Sequence, residues 1–577
     1  MNIKYIIIVS LATILFFAAS GAAFADNWQA LYNKANGNIE KQNYSEALQF
    51  ARQSLDAATG EFGDSTVYHG KSCSKIAEIY FVTGNFELAE TYFKKTMNYY
   101  KKSVGRFNSG YASAVNNLSV VYQYQGKIGK AEELLKETLE IKRETEGDNT
   151  LSYAKSLNNL ARLYQETGKY QQAEELLSKA IKIKKQIEGV DDISYAKSAL
   201  NLALLYKTLG NYDKSLEYFN ESVPTLREKL GIKDPETSKA IVNLGMVYVA
   251  TGKTKDAKII LNLMKRVETD EIGTSYPERA FNLYNLAMLY WAFDKVDKTE
   301  NYIKEALEIV KQHLGEQSPL LSACLNSLGV INWINKDYDE AESYLNRAAE
   351  HRRKYLGENH PDYATTLHNL AGLQKDMGEF DKAEANYRKA FNLYLDQIHE
   401  YFAFLSEDEK ARFYMTLKER FEIFDNYVSS RYKKNPELLD DMYNFRIATK
   451  AILLKSHLQV KRKIAESGDS TLLSKYDQWR ETKQELAKAY TANFETKETS
   501  GANIDSLEQF ANELEKELSK GSHAFGEEYS VEKQTWEDVR DALDDDEAAV
   551  EIIRFRYFER GWDNQIFYAA LIVTNEM

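Results

Sequence analysis

The residues whose type and spacing suggest a chemical role in this sequence are asparagines that recur at a regular interval. With Ser327 as the one exception, asparagine recurs every 42 residues at Asn117, Asn159, Asn201, Asn243, Asn285 and Asn369. An asparagine amide carries hydrogen-bond donors and an acceptor together, so a row of amides can hold the backbone of an extended peptide without reading its side chains. The alternative is that these amides hydrogen-bond neighbouring helices, and the sequence alone favours neither.

A second candidate set is apolar and lies on one predicted helix, residues 280–293. One stripe of this helix has core spacing and consists of Leu283, Leu286, Ala287 and Tyr290. A second stripe, in steps of three, four and three residues, shares one face and consists of Phe281, Tyr284, Met288 and Trp291. A surface helix should be polar on that face, so the second stripe predicts an anchor point for a peptide side chain or an amphipathic helix. Trp333 is equivalent to Trp291 one repeat later; packing against later helices is the alternative.

The sequence contains no motif typical of a catalytic nucleophile, a phosphate-binding loop or a metal site. We therefore expect no cofactor, metal site or catalytic residue. Cysteine occurs only at Cys73 and Cys324, six repeats apart in equivalent helices. Since neighbouring helices lie about 8–10 Å apart, these thiols should be far beyond the roughly 7 Å that a disulfide can bridge. We expect both to be small packing residues. His360 and His368 are predicted to be a turn residue and a residue of the binding surface.

The elements that position these residues follow from two glycine series with the same 42-residue period. The first series has no gap and comprises Gly63, Gly105, Gly147, Gly189, Gly231, Gly273, Gly315 and Gly357. The second comprises Gly84, Gly126, Gly168, Gly210, Gly252 and Gly378, and Asp294 and Lys336 fill its two gaps. Within one copy, apolar residues have helical spacing over 112–125 and again over 130–146, with a glycine after each helix. Nine stacked pairs of antiparallel helices are therefore predicted to form a solenoid.

Two segments carry a resemblance to a known repeat family. They are Leu157-Asn158-Asn159-Leu160-Ala161-Arg162-Leu163-Tyr164 and Leu356-Gly357-Glu358-Asn359-His360-Pro361. Both resemble the tetratricopeptide repeat, and the 42-residue form resembles its kinesin light chain group. The resemblance implies a mainly α fold, with a right-handed α-solenoid of about nine helix pairs over residues 26–404.

The resemblance also implies where the candidate residues lie. An apolar residue also recurs every 42 residues, at Ile76, Leu118, Leu160, Leu202, Leu244, Leu286, Leu328 and Leu370, and we call these the lattice residues. In tetratricopeptide repeats the first helix of each pair lines a concave groove, and the residue before the lattice residue faces it, which is the position of the asparagine series. The apolar stripe, Trp333 and Val242 would lie on the floor of the same groove. Lys155, Arg162 and Lys197 would add positive charge there, which suits an acidic ligand. The expected partner is a protein or a peptide bound in the groove.

Residues 1–25 are predicted to be a secretory signal peptide. Lys4 gives the positive start, Tyr5–Ala19 is almost wholly apolar, and Ala23-Phe24-Ala25 is a small-x-small cleavage site. We therefore expect export to the periplasm or the extracellular space, with no stable membrane span after cleavage; a retained anchor is the alternative. The formal net charge of −13 argues against nucleic acid as a partner.

Residues 405–530 are predicted to be a helical linker region. Ser406 and Glu409 form a capping box for a helix that ends near Tyr432, and Asn435-Pro436 turns the chain. Three further helices are expected after this turn, to about residue 467, over 472–490 and over 504–520. A flexible polar linker is expected at 491–502.

Residues 531–577 are predicted to be the opening fragment of a larger α/β domain. A short capped helix at 535–543 precedes a strand at 548–558, which alternates polar and apolar residues. After a turn at 560–564, the run 567–574 is continuously apolar, as in a strand buried on both faces. A lone hairpin is unstable in water, so the sequence predicts missing neighbours; the alternative is that the hairpin packs on the preceding helices.

Two short segments of this fragment, Trp536-Glu537-Asp538-Val539 and Tyr568-Ala569-Ala570-Leu571-Ile572, resemble the entry into the CHAT domain, a caspase-like module. The resemblance implies a catalytic dyad of a later histidine and a later cysteine. The last cysteine is Cys324 and the last histidine is His523, so the chain as given is not expected to be an enzyme. Two functions remain open. The first is an exported recognition scaffold, the sensing part of a TPR-CHAT protein; the second is the regulatory half of a cysteine peptidase whose dyad lies beyond Met577.

Overall fold

The computed structural model of the chain is mainly α-helical, with one two-stranded sheet near its end. It describes residues 27–41, 43–63, 65–187, 189, 192–268, 276–402, 404–450, 469–496, 501–523, 535–558 and 562–575. The fold class predicted from the sequence is confirmed. The predicted signal peptide lies outside the described residues. None of the helices that the structure describes combines the length and the apolar composition needed to cross a bilayer.

The described residues form two compact units. The first takes in the chain up to Leu205 and Tyr212–Glu358, and the second takes in Tyr206–Asn211 and the chain from Asn359. The helices from the first residues to Tyr355 are α1 (27–40), α2 (Tyr44–Phe62), α3 (Val67–Val82), α4 (Phe86–Val104), α5 (Ser109–Tyr124), α6 (Ile128–Glu146), α7 (Leu151–Glu166), α8 (Tyr170–Ile187), α9 (Ile193–Thr208), α10 (Tyr212–Leu230), α11 (Pro235–Ala250), α12 (Thr254–Glu268), α13 (Tyr276–Trp291), α14 (Val296–Ile309, continued by the π-helical turn Val310–Leu314), α15 (Pro319–Asn335) and α16 (Tyr338–Tyr355).

Two kinds of corner join these helices, and they differ in backbone conformation. Gly147, in the first glycine series, has φ 86° and ψ 169°, a region that only glycine occupies without large strain. The second series lies in or near the left-handed α region, where Lys336 has φ 69° and ψ 19°, and Asp294 has φ 55°. Other residues are tolerated in that region, which explains why substitutions occur only in the second series.

The repeat lattice forms the core of each helix pair. The lattice residues Ile76, Leu118, Leu160, Leu202, Leu244, Leu286, Leu328 and Leu370 are all buried. Where a hydroxyl replaces the usual alanine at the helix crossing it is hydrogen-bonded, as in Ser215 Oγ, which donates to Ala203 O at 2.7 Å. Cys73 and Cys324 are free and buried, as predicted, and burial raises the pKa of each thiol to about 12.

The second unit contains the remaining helices and the sheet. They are α17 (Pro361–Met377), α18 (Phe380–Phe402), α19 (Glu407–Arg431), α20 (437–450), α21 (Ser470–Thr496), α22 (Gly501–His523), α23 (Trp536–Asp541), β1 (Ala548–Phe558) and β2 (Trp562–Thr574). The capping box is confirmed, since Ser406 Oγ accepts from Glu409 N and Glu409 accepts from Ser406 N. Helices α18 and α19 share an aromatic core in which the Phe391 and Phe424 rings are 4.7 Å apart.

Three predictions about this unit are wrong in detail. The proposed flexible linker is helical as far as Thr496, because 491–496 contains neither glycine nor proline and continues α21. Strand β2 begins at Trp562 rather than 567, since Trp562 already pairs with Phe558 of β1. His368 is not on an open surface, because the aromatic rings of Tyr387 and Phe391 surround it; burial, assisted by Arg420, lowers its pKa to about 3.

The hairpin of β1 and β2 packs on one face only. Ile553 and Phe555 are buried, and Asn426 Nδ2 of α19 donates to Arg556 O at 2.6 Å. The opposite face is exposed and apolar, with Val550, Ile552, Ile566, Tyr568 and Ile572. Among the described residues the run 567–574 is therefore covered on one face only, because the sheet has two strands, and the expectation that a larger domain supplies its other neighbours stays a prediction.

Candidate binding surface on the first helices

Side chains of consecutive first helices meet along one surface of the first unit. Asn159 Nδ2 of α7 donates to Asn116 Oδ1 of α5 at 2.7 Å. Gln165 Nε2 of α7 donates to the carbonyl oxygen of Asn201 on α9 at 2.8 Å. Farther along, Tyr284 Oη of α13 is 3.5 Å from Ser327 Oγ of α15. We call the residues on this face of α3, α5, α7, α9, α11, α13 and α15 the first-helix surface.

The members of the asparagine series differ in their hydrogen-bond partners. Asn159 bonds to the neighbouring helix, while the buried Asn243 donates to Lys239 O of its own helix at 2.9 Å. Asn117, Asn201 and Asn285 are half-buried. Asn369 is half-buried on α17 and belongs to the second unit. Bonding to a neighbouring helix is therefore seen at Asn159, and peptide binding by the series stays a prediction.

A cationic stretch occupies α7, α9 and α11. Lys155 is exposed. Lys197 Nζ is 2.5 Å from Glu236 Oε2. Arg162 Nη2 donates to Gln123 Oε1 at 3.3 Å, and Arg162 Nε is 3.9 Å from Glu166 Oε1. The half-buried Lys239 has its pKa lowered, first by the loss of solvation and then by Arg162.

An aromatic stretch occupies α13 and α15. On α13 the buried stripe of Leu286, Leu289 and Tyr290 belongs to a core cluster shared with α11 and α12. The second stripe stays outside that cluster: Phe281 is 36% exposed, and Tyr284, Met288 and Trp291 are half-buried, as is Trp333 on α15. Val242, expected at an equivalent position, is buried instead, because it packs with α13 in the same core cluster.

A cavity of about 290 Å³ lies at the beginning of the first-helix surface. It is mainly apolar, and it is lined by Ile39, Glu78, Ile79, Phe81, Val82, Phe93, Asn117 and Val120. Neither this cavity nor Gln123 was predicted from the sequence. The signal for the cavity was present in the apolar Val82 and Val120, which occupy positions on the exposed side of their helices.

Metal-ligating and nucleophilic side chains were also located in the described residues. No group of three or more histidine, cysteine, aspartate or glutamate side chains in the described ranges is arranged to hold a metal ion. Burial raises the pKa of both thiols to about 12, which disfavours the thiolate form that acts as a nucleophile.

Comparison with solved structures finds similar helical repeats. The chain is similar to BtubC (BKLC) from P. vanneervenii, with a TM-score of 0.34 and 21% identity over 40% of this chain and 91% of that one. It is also similar to a Podosopora anserina chain with nearly identical TPR-like repeats of the kinesin light chain type, with a TM-score of 0.30 and 23% identity over 34% and 94%. The Rap conjugation gene regulator of plasmid pLS20, in complex with the Phr* peptide, has a TM-score of 0.41 and 14% identity over 57% and 95%.

Comparison of sequences gives the family. No curated protein sequence matches the chain. One profile of the tetratricopeptide repeat matches residues 66–144, 110–186, 194–263 and 325–396. A second profile of the same repeat matches residues 283–320. The two profiles together span just over half of the chain, which is therefore a tetratricopeptide repeat protein.

Proposed function

We propose that this protein is an exported recognition scaffold whose first-helix surface binds a peptide or a segment of another protein. The observation that carries the proposal is the second stripe of α13, where Phe281, Tyr284, Met288 and Trp291 lie outside the core and remain partly exposed. Large aromatic side chains in such positions act as binding anchors, because burying them against a ligand removes much apolar surface from water.

The amides of the asparagine series complement these anchors. Asn117 and Asn285 are half-buried on the first-helix surface, and neither side chain hydrogen-bonds to another residue within the described ranges. Each amide can donate to a carbonyl and accept from an N–H of an extended peptide. Such contacts bind the backbone, while the aromatic stripe and the cavity beside Asn117 select side chains.

Export rests on the sequence of the leader. Lys4, the apolar run Tyr5–Ala19 and the site Ala23-Phe24-Ala25 support transfer to the periplasm or the extracellular space. N-terminal sequencing of the protein recovered outside the cytoplasm tests this part of the proposal, with Asp26 as the expected first residue. Recovery of the uncleaved chain in the membrane fraction would instead support a retained anchor.

A second candidate function is the regulatory half of a caspase-like cysteine peptidase. The observation that favours it is the exposed apolar face of the hairpin, where Ile552, Tyr568 and Ile572 would be covered by further elements of a CHAT-like domain. In this proposal the catalytic histidine and cysteine lie beyond Met577. The coding sequence downstream of that codon tests it: a histidine and a cysteine, each after a predicted strand, would support the peptidase.

The binding proposal is tested by selecting peptides from a random displayed library on the purified protein and measuring their affinities. Trp291→Ala should weaken binding by about 30-fold, the effect of losing a 2 kcal/mol anchor. Ile259→Ala is the matched control, because Ile259 is a 64% exposed apolar residue on the second helix α12. Equal affinities for the protein and both variants would contradict the proposal.

A further inference from the structure

A second cavity, of about 310 Å³, lies among helix ends of the first unit. The corner between α3 and α4 contributes Gly84, and the corner between α5 and α6 contributes Gln125 and Lys127. Residues of the segment 311–317, between α14 and α15, also line the cavity, as does Tyr355 at the end of α16. Helix pairs that are far apart in sequence therefore meet here, and we call this space the corner cavity.

Two glycines allow the segments around the corner cavity to approach closely. Gly84 and Gly126 have φ values of 78° and 67°. A Cβ atom on Gly84 would clash with His313 O, and one on Gly126 would lie 3.0 Å from Gln317 O. At Gly252, which has φ 72° in an equivalent corner, such a Cβ would have no described atom within 4 Å. Gly84 and Gly126 are therefore needed for close packing as well as for the left-handed backbone.

The segment opposite these corners is fixed by hydrogen bonds of its own. Gly315 N donates to Val310 O at 2.9 Å and closes the π-helical turn. His351 Nε2 donates to Glu316 O at 2.8 Å. Such single π-helical turns are frequent at functional sites. Because both sides are held in place, a ligand of the corner cavity would lose little free energy to ordering the protein.

Gln125 brings an unsatisfied amide to the corner cavity. Its side chain is only 6% exposed, and Oε1 is buried without a hydrogen-bond partner among the described residues. Since buried polar groups are nearly always hydrogen-bonded, a bound molecule is the expected partner. Half a turn of the amide exchanges its oxygen and nitrogen. A hydroxyl group both donates and accepts, so it satisfies Gln125 in either orientation.

The charges of the corner cavity cancel. The charged residues that line it are Glu87, Lys127, Lys311 and Glu316. Lys127 Nζ is 2.9 Å from Glu90 Oε2, and Lys311 Nζ is 3.3 Å from Glu308 Oε1. Loss of solvation lowers the pKa of His313, so this ring adds no charge at pH 7. Because each ammonium group already has a carboxylate beside it, the lining favours a neutral polar ligand over an anion.

We propose that the corner cavity binds one neutral monosaccharide, whose hydroxyl groups hydrogen-bond to Gln125, Lys127 and Glu87. The inference goes beyond the proposed function, because the corner cavity is formed at helix corners and shares no residue with the second stripe of α13. A sugar ring carries several hydroxyl groups, which match donors and acceptors alike, and its C–H groups can pack on Phe86 and Tyr355. The volume is at the lower limit of ligand pockets, about 300 Å³, which suits one ring.

The test uses the whole protein and three neutral probes, D-glucose, D-galactose and D-mannose. Saturation-transfer NMR titrations should show saturable binding of at least one of them. The uronic acid and the amino sugar of the same configuration should each bind about tenfold more weakly, because an added charge would be buried without a partner. Absence of saturable binding by all three sugars would overturn the proposal, as would equal or tighter binding of either charged analogue.

A pair of glutamine variants tests the place of binding. Gln125→Leu should weaken binding of the sugar about tenfold. It should not lower the thermal unfolding midpoint, because the group that it removes is buried and unsatisfied. Gln53→Leu is the control, since Gln53 is exposed on α2 and should leave the affinity unchanged. Equal affinities in the two variants would contradict the proposal.

A pair of glycine variants tests the close approach that forms the cavity. Gly84→Ala and Gly252→Ala place the same side chain at left-handed corners, but only the first meets His313 O. Gly84→Ala should therefore lose sugar binding, and Gly252→Ala should keep it. Circular dichroism shows whether each variant is folded. A folded Gly84→Ala that binds the sugar as tightly as Gly252→Ala would contradict the proposal, and Gln125→Leu decides the question if Gly84→Ala does not fold.

Discussion

Asn159 on α7 donates a hydrogen bond of 2.7 Å to Asn116 on α5, one repeat earlier. One turn farther along α7, Arg162 reaches Gln123 of the same neighbouring helix at 3.3 Å. Side-chain hydrogen bonds thus join the first helices of these two repeats on the surface that we propose for binding. Asn117, next to Asn116 in sequence, makes no such bond to another described residue. Adjacent asparagines therefore have different roles.

This difference predicts unequal effects on stability. Asn159→Ala should lower the free energy of unfolding by about 1 kcal/mol, the net value of a hydrogen bond in a folded protein, because it removes the hydrogen bond to Asn116. Asn117→Ala should change stability by only a few tenths of a kcal/mol. Urea unfolding followed by circular dichroism provides the comparison, and equal losses in the two variants would argue against a structural role for Asn159.

The two stripes of α13 predict opposite phenotypes. Leu286→Ala should lower the free energy of unfolding by roughly 2–5 kcal/mol, because it opens a cavity in a close-packed core. Trp291→Ala should cost less stability, since Trp291 lies outside that core cluster, but it should abolish most peptide affinity. Calorimetric unfolding of both variants checks this order. A larger stability loss for Trp291→Ala would identify Trp291 as a packing residue.

His368 predicts a pH dependence of stability in the second unit. Its pKa falls from 6.5 to about 3 on burial, so the unfolded chain binds more protons than the folded chain between these values. Stability is therefore complete above about pH 6.5 and falls below it by up to about 1.4 kcal/mol per pH unit. In His368→Leu this contribution is absent, so the loss of unfolding free energy between pH 7 and 5.5 should be smaller than in the unchanged protein. Urea midpoints at both pH values measure it, and parallel curves would contradict the assignment.

Two arginines of strand β1 form a matched pair for testing how the hairpin is held. Arg556 Nε is 2.8 Å from Glu422 Oε2 on α19, a carboxylate that is almost fully buried. Arg554 lies two residues earlier on the same face of the strand and is exposed. Arg556→Gln should destabilise the hairpin by about 1–2 kcal/mol, a value reduced by the partial exposure of Arg556. Hydrogen exchange of 548–574 should be faster in Arg556→Gln than in Arg554→Gln; equal rates would show that the ion pair contributes nothing.

The repeat architecture could be predicted from sequence because backbone conformation limits the residues at each corner. Gly63, Gly105, Gly147 and Gly315 adopt a conformation that only glycine occupies easily, which explains why the series has no gap in the sequence and fixes the period. The left-handed corners accept Asp294 and Lys336, and the gaps they make do not disturb the pattern. The lattice leucines then follow from helical spacing around a buried stripe.

The site and the end of the chain were less predictable because they depend on contacts between residues distant in sequence. The pairing of Gln123 with Arg162 spans two repeats and leaves no local signal. His368 was expected on the binding surface, but rings from α18 surround it. The apolar run of β2 predicts neighbours on both faces, and among the described residues the face with Tyr568 and Ile572 has none that buries it.

The central claim, that the first-helix surface binds the ligand, is tested most directly by photocrosslinking. A benzoylphenylalanine placed at Met288, on the second stripe of α13, should crosslink to a library-selected peptide on irradiation, and excess unlabelled peptide should prevent it. The same residue placed at Ile259, exposed on the second helix α12, should give no crosslink. Crosslinking from Ile259 but not from Met288 would contradict the account.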